Sequence, residues 1–431
     1  MLQDVADLVM TDAHDIPCEQ AIDKTFSRHL IYDQILHNCS AQSIFSLRRV
    51  GRQIYCAVQD YNGRVFNVNR RLFRFFVDPL AFRSLQARTA TVISGSFALQ
   101  FFDRSYFSGS DLDLYVHPNS HVLDVGHYLH SEGYQFQPCT WQLEDYRKEI
   151  RRLCERMASF QSDENEEEAE LLYQMRSVRA VYTFCKAGSP EGLTRTVQII
   201  VSRECPMASI LDFHSTCVMN VITFNAAYAF YPIATYEQRM SLVINDSDPN
   251  APSALEKYAR RGWRAIANPS PLVPLLDFRV FHFGVARWLC DSLTWTVHLP
   301  MDGVSPPPPS SPSSVPLTWD PIAECGWILR RHGDYVRPWV KKIATTVMFW
   351  RYTVGDREYL GKLTDYFKRQ GATEHSKVPS GKSMPDYAEA WTWCVNPGSC
   401  HYDRILTDQR RWDSVLPLFR TNYLEEKAKK L

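Results

Sequence analysis

The stretch from Thr91 to Val116 reads TVISGSFALQFFDRSYFSGSDLDLYV, and its reading decides the fold. Thr91-Val92-Ile93 is a short β-favouring run that delivers the chain into Ser94-Gly95-Ser96. Phe97, Leu99, Phe101 and Phe102 then supply the apolar residues of a helix. A loop through Ser108-Gly109-Ser110 leads into Asp111-Leu112-Asp113-Leu114-Tyr115-Val116. In a strand, alternation puts both carboxylates on one face and Leu112, Leu114 and Val116 on the other. Two aligned carboxylates repel each other, and a divalent cation is the usual compensation.

The pattern of an apolar residue, Gly-Ser, a spacer and two acids alternating with apolar residues resembles the nucleotidyltransferase superfamily, the polymerase-β-like fold. Here Ile93-Ser94 precede Gly95-Ser96, and Asp111-Leu112-Asp113-Leu114 close the motif after fourteen intervening residues, a slightly long spacer. Physical chemistry agrees with the resemblance. Gly95 lets the backbone approach a triphosphate, Ser96 can hydrogen-bond it, and the helix N-terminus offers unpaired N–H groups.

Outward from this stretch, 431 residues are enough for two or three domains, and 45% hydrophobic with 13% aromatic residues supports buried cores. Lys plus Arg equals Asp plus Glu at 48 each, which argues against a dedicated nucleic-acid binder. Twelve cysteines without paired spacing, and no signal-peptide pattern, predict a reduced cytoplasmic or nuclear setting. Ser215 to Tyr236 carries no charge, but Asn220, Asn225 and Pro232 interrupt it, so no membrane span is expected. A long buried helix over Ser209 to Phe230 is expected instead.

Residues 1–87 carry helical spacing, and LIYDQILHNCSAQSIFSLRRVGRQIY resembles an F-box distantly, through Leu47, Val50 and Arg52. That resemblance implies a protein partner for the N-terminal helices; a helical layer on the core is the plainer expectation. Strands are expected at 91–94, 111–116, 179–187 and 195–202, the last two joined as a hairpin through GSPEGL. Helices are expected at His121–Ser131, Trp141–Met157 and Ala254–Trp263, the last carrying Lys257, Arg260 and Arg261. The acidic run Ser162–Glu170 reads as a solvated segment, not a metal site. The expected organisation is a helical region 1–87, a nucleotidyltransferase-like core 88–265, a helical extension 266–303, a Pro/Ser-rich linker 304–317 and a Trp-rich region 318–431. The fold class is therefore α/β, a mixed-sheet core with helical N-terminal and C-terminal additions. Basic residues interleave with tryptophans after 318, but tryptophans at that density are expected in a core. Cys394, Cys400 and His401 fit no zinc spacing.

The resemblance implies Mg2+ held by Asp111 and Asp113, a nucleoside triphosphate such as ATP at Gly95 and Ser96, and transfer of a nucleoside monophosphate to a hydroxyl acceptor. The acceptor is open: a small molecule, a protein or RNA. The resemblance implies a third acid on a later antiparallel strand, here Thr196–Val201, where Gln198 stands instead. A glutamine coordinates through its carbonyl oxygen but brings no charge and accepts no proton. Glu204 or Asp212 could substitute in space. Three functions follow: an active transferase using Asp111, Asp113 and Gln198, a degenerate nucleotide-binding sensor or scaffold, or an adaptor docking partners through its N-terminal helices.

Overall fold

The computed structural model describes residues 18–119, 121–158, 177–188, 194–244, 251–267, 279–306, 319–332, 335–343, 348, 350–375 and 412–429. The chain divides into two compact units, Met1–Asn67 and Val68–Leu431. The first holds helices α1 (Cys18–Phe26), α2 (His29–Asn38), α3 (Ala41–Leu47) and α4 (Arg52–Val65). Tyr32, Leu36, Ile44, Ile54, Ala57, Val58 and Tyr61 form its own small core. Ser40 caps α3 by accepting the Ser43 N–H at 3.2 Å. Arg64 ties α4 to α2 through Asp33 at 2.7 Å. The boundary thus falls twenty residues before the expected one at 87, because the next two helices, α5 (Val68–Leu72) and α6 (Pro79–Thr89), belong to the second unit.

Asp78 caps α6, accepting from Leu80 and Ala81 at 2.9 and 3.1 Å. The chain then leaves α6 through Ala90 at φ 49° and enters β1 (Val92–Ser94). In order follow α7 (Gly95–Asp103), β2 (Leu112–Val116), α8 (His121–Ser131), β3 (Gln135–Gln137), α9 (Tyr146–Ala158), β4 (Val178–Lys186), β5 (Arg195–Ser202), β6 (Asn220–Ile222) and β7 (Ala226–Ala229). With a further strand, Trp295–His298, these make one eight-stranded sheet. Its order is Trp295–His298, β7, β6, β1, β2, β5, β4, β3, and β2 runs parallel to β5 within otherwise antiparallel pairs. The four strands expected around the Asp-x-Asp motif are therefore contiguous, and β4 and β5 form the expected hairpin. But β5 runs parallel to β2, not antiparallel as expected, being antiparallel to β4 instead. Leu112, Leu114, Val116, Val197 and Ile199 are fully buried along β2 and β5.

Two expectations are corrected. Ser209–Phe230 is not one long helix: a short helix Pro206–Leu211 and a 3-10 turn Thr216–Val218 precede the β6–β7 hairpin. From Ser215 on the segment carries no charge because it is buried, and a buried strand and a buried helix read alike. Its side chains turn it locally: the Asn220 amide donates to the Cys217 carbonyl at 2.7 Å, and Thr223 Oγ1 donates to Asn225 Oδ1 at 3.1 Å. Residues 266–303 are also not a helical extension. Where described, they hold a 3-10 turn Arg279–Phe281 and strands Ala286–Trp288 and Trp295–His298, the last pairing with β7. Asp291 makes the bend between those strands by accepting the Trp288 and Leu293 N–H groups at 3.1 and 2.9 Å.

Beyond residue 318 the addition is helical only in part. A three-stranded sheet joins Ala286–Trp288 to Gly326–His332 and Tyr335–Trp339, and Lys341–Ile343 pairs with Tyr352–Val354. Helices Arg357–His375 and Leu416–Ala428 follow. Trp327 and Trp350 are core residues, as the density of tryptophans implies, and Trp327 Nε1 donates to Tyr231 Oη at 2.9 Å. The acidic run 162–170, most of the GSPEGL turn, the Pro/Ser segment from 307 and Trp391, Trp393, Cys394, Cys400 and His401 lie outside the described residues. Among those described, no helix is long and apolar enough to cross a membrane.

Candidate functional site

Three strands bring the candidate residues into one row. Ser94, the last residue of β1, is the antiparallel partner of Asp113 on β2. Asp113 is in turn the parallel partner of Gln198 on β5, and Gln198 pairs with Thr183 on β4. Directly opposed residues of a sheet share a face, so these four positions form a polar row across β1, β2, β5 and β4. Gln198 is half-buried between fully buried Val197 and Ile199, which puts it on the face of Asp113 as alternation requires. Asp111 lies one residue before β2.

Gly95 opens α7 at φ +67°, a conformation that side chains disfavour. A Cβ at this position would stand 2.6 Å from Asp113 Oδ2. The glycine therefore permits both the turn from β1 into α7 and the close approach of the backbone to the carboxylate. Ser94 is locked below it, its hydroxyl donating to the Asn220 carbonyl at 2.6 Å. Ser96 is buried in the first turn of α7. Gln100, one turn later, donates to the Ser96 carbonyl at 3.0 Å and accepts the Phe107 N–H at 2.6 Å. That side chain ties the spacer loop to the glycine turn. Arg71 and Arg74 hold the loop from the other side, donating to the Ser105 and Ser110 carbonyls at 3.1 and 3.3 Å.

The electrostatics are those of a crowded acid pair. Burial, then the charge of Asp111, push the Asp113 carboxyl up to about 7. Burial also raises Asp111, opposed by Lys257 and by a hydrogen bond to Thr196. Lys257, on the helix Ala251–Arg260, draws both carboxyls down, so it stands as the cationic neighbour of the pair. Of the other two basic residues there, Arg260 is bonded to Glu256, and Arg261 lies 3.8 Å over the Phe107 ring. In the sequence, Lys257, Arg260 and Arg261 read as groups that could reach a triphosphate, with a solvated helix face as the plainer expectation for most of them. The bearing of Lys257 on residues more than a hundred positions away has no local signal, and the same holds for Arg71, Arg74 and Gln100.

The donor set fits one hard divalent cation. Two carboxylates from a single Asp-x-Asp, both held above the usual carboxylate range by burial and in one case by their neighbour's charge, gain most from a cation that prefers oxygen ligands. Among the described residues no third acid joins them, and no group of three or more His, Cys, Asp or Glu is arranged to hold a metal ion. Glu204, a candidate substitute, is instead paired with Arg351 at 3.3 Å and Lys342 at 3.5 Å, and Asp212 does not complete a cluster either. Comparison of the chain with protein-family models, with curated proteins and with solved structures gave no match.

Proposed function

We propose that the chain binds a nucleoside triphosphate together with Mg2+ in a polymerase-β-like arrangement, and that nucleotide binding outweighs nucleotidyl transfer. The observation that carries this reading is the row in which Ser94, Asp113 and Gln198 are register partners while Gly95 keeps the backbone open against the Asp113 carboxylate. Asp111 and Asp113 would hold the ion. Bound there, Mg2+ would supply neutralisation of phosphate charge and acidification of a nearby hydroxyl. The chain's own contribution is position: the first turn of α7 presents backbone N–H groups to a phosphate, and Lys257 offsets its charge. Gln198 stands where a third carboxylate would take the acceptor's proton, and an amide accepts none.

Calorimetry with a non-hydrolysable triphosphate, with and without magnesium, tests this. Wild type is expected to bind only with magnesium, and the double variant Asp111→Ala/Asp113→Ala to lose that binding while keeping its fold. Equal affinity of the double variant in magnesium would discard the site. Pyrophosphate release by wild type, tried over hydroxyl acceptors including RNA and small polyols, separates the second reading: rapid release would make the protein a transferase in spite of Gln198.

A further inference from the structure

The hairpin Gly326–His332/Tyr335–Trp339 has one face in the core, where Trp327, Leu329 and Val336 are buried. On its other face Arg330 and Arg337 are directly opposed partners, and Trp339 pairs with Ile328. Like charges facing each other across an antiparallel pair destabilise the sheet. Neither guanidinium has a carboxylate partner among the described residues, nor have the exposed Lys341 and Arg357. Aromatic rings hold the three guanidinium groups instead. Arg330 and Arg357 lie 4.4 and 4.9 Å from the Trp339 ring centre, and Arg337 lies 5.3 Å from that of the half-exposed Tyr335. Stacking on the ring fixes a guanidinium plane while leaving its N–H fork free for an anion.

The order of these groups along the chain adds a second observation. Tyr335, Arg337, Trp339 and Lys341 alternate ring and cation at every second residue. Tyr335, Arg337 and Trp339 lie on one strand, roughly 6.6 Å apart at each step, and Lys341 opens the next strand, Lys341–Ile343. A linear repeat of cation and ring matches a linear repeat of phosphate and base. We infer that this face is a docking surface for a single-stranded nucleic acid, its phosphates on Arg330, Arg337, Arg357 and Lys341 and a base on Tyr335. The balanced charge of the whole chain does not oppose this, because Arg330 and Arg337 share one sheet face and Arg357, on the following helix, lies against the same Trp339 ring as Arg330. A membrane surface would call for exposed aliphatic side chains among the cations, and the row carries aromatic ones.

The test uses the full chain and the anisotropy of a fluorescein-labelled single-stranded RNA of about 12 nucleotides, with DNA of the same sequence as a second arm. Binding at low salt is expected, weakened about tenfold or more in Arg337→Gln/Arg357→Gln, with the logarithmic salt slope reduced by about 1.4 for two lost phosphate contacts. Tyr335→Leu should weaken binding without changing that slope, which separates stacking from charge. Asp111→Ala/Asp113→Ala should bind the strand as wild type does, so the result stands apart from the nucleotide site. Both arginines are exposed, and removing Arg337 relieves repulsion, so melting temperature should hold or rise and loss of binding cannot be unfolding. RNA and DNA arms of similar affinity mean recognition of phosphate and base alone, and a tighter RNA arm means the 2′-hydroxyl is read as well. No strand binding at low salt, an unchanged affinity in the double variant, or capture of anionic vesicles that the same variant abolishes would overturn the assignment.

Discussion

Replacing Asp113 by Asn tests the electrostatics of the row with the nearest isostere, because Asn imitates the protonated acid. Asp113 titrates at about 7 in the fold against an ordinary 3.8. Between those values the unfolded chain has released a proton that the folded chain keeps. Stability contributed by the protonated acid is therefore fully present below 3.8 and is lost as pH rises to 7. At about 1.4 kcal/mol per pH unit the full penalty has a ceiling of about 4 kcal/mol. Rearrangement and water entry lower it, and about 1–3 kcal/mol is the expected difference. Urea denaturation without divalent cations, run from pH 4 to pH 8, gives the comparison. The variant should match wild type near pH 4 and exceed it by that amount at pH 8, since all other titrating groups except Asp111 are common to both. Magnesium with triphosphate should then raise the wild-type midpoint at pH 8 and leave the variant's unchanged. A difference that does not vary with pH, or a variant less stable than wild type at pH 8, would refute a strained carboxyl at this position.

Gly95→Ala should cost about 1–3 kcal/mol in denaturant midpoint, because it combines a disfavoured φ with a Cβ 2.6 Å from Asp113 Oδ2. It should also weaken triphosphate binding measured by calorimetry. Arg83→Met should destabilise by about 3 kcal/mol in the same assay. This buried guanidinium donates to the Phe224 and Pro300 carbonyls at 2.6 and 2.7 Å, and a methionine leaves both without it. Gln198→Glu should lower stability at pH 8 without metal by adding a third carboxylate beside Asp113, and should regain it in magnesium with detectable pyrophosphate release. Destabilisation that magnesium does not reverse would remove Gln198 from the site.

The centre of the fold was legible because its signals are local and redundant. A β-run, a glycine at positive φ, an apolar helix and an alternating acidic strand each constrain the next, and the register Ser94 to Asp113 follows from them. The β4–β5 hairpin and α8 were legible for the same reason. The region from Ser209 to Phe230 was not, because a segment buried on all sides shows neither the helical nor the strand periodicity that distinguishes the two. Trp295–His298 is four residues long and owes its place to pairing with β7, a contact across some seventy residues with no local signature. Candidate acids failed in the same non-local way: Glu204 follows the end of β5 by two residues, yet it is paired with Arg351 and Lys342.

Charge counting links the row to the proposed preference for binding. The pair Asp111 and Asp113 brings at most two negative charges, and Lys257 returns one. One divalent ion would then turn the site net positive, which suits a triphosphate, and among the described residues no further carboxylate stands by for a second ion. A third carboxylate at 198 would reverse that balance and make room for another cation. It would also sit in register with Asp113, whose proton is already hard to remove, and so would depend on metal for its own ionisation. Glutamine keeps the shape and hydrogen-bonding capacity of that position while sparing the fold a third crowded charge. On the proposed reading, the substitution that weakens transfer is the one that lets the sheet tolerate two carboxylates without metal.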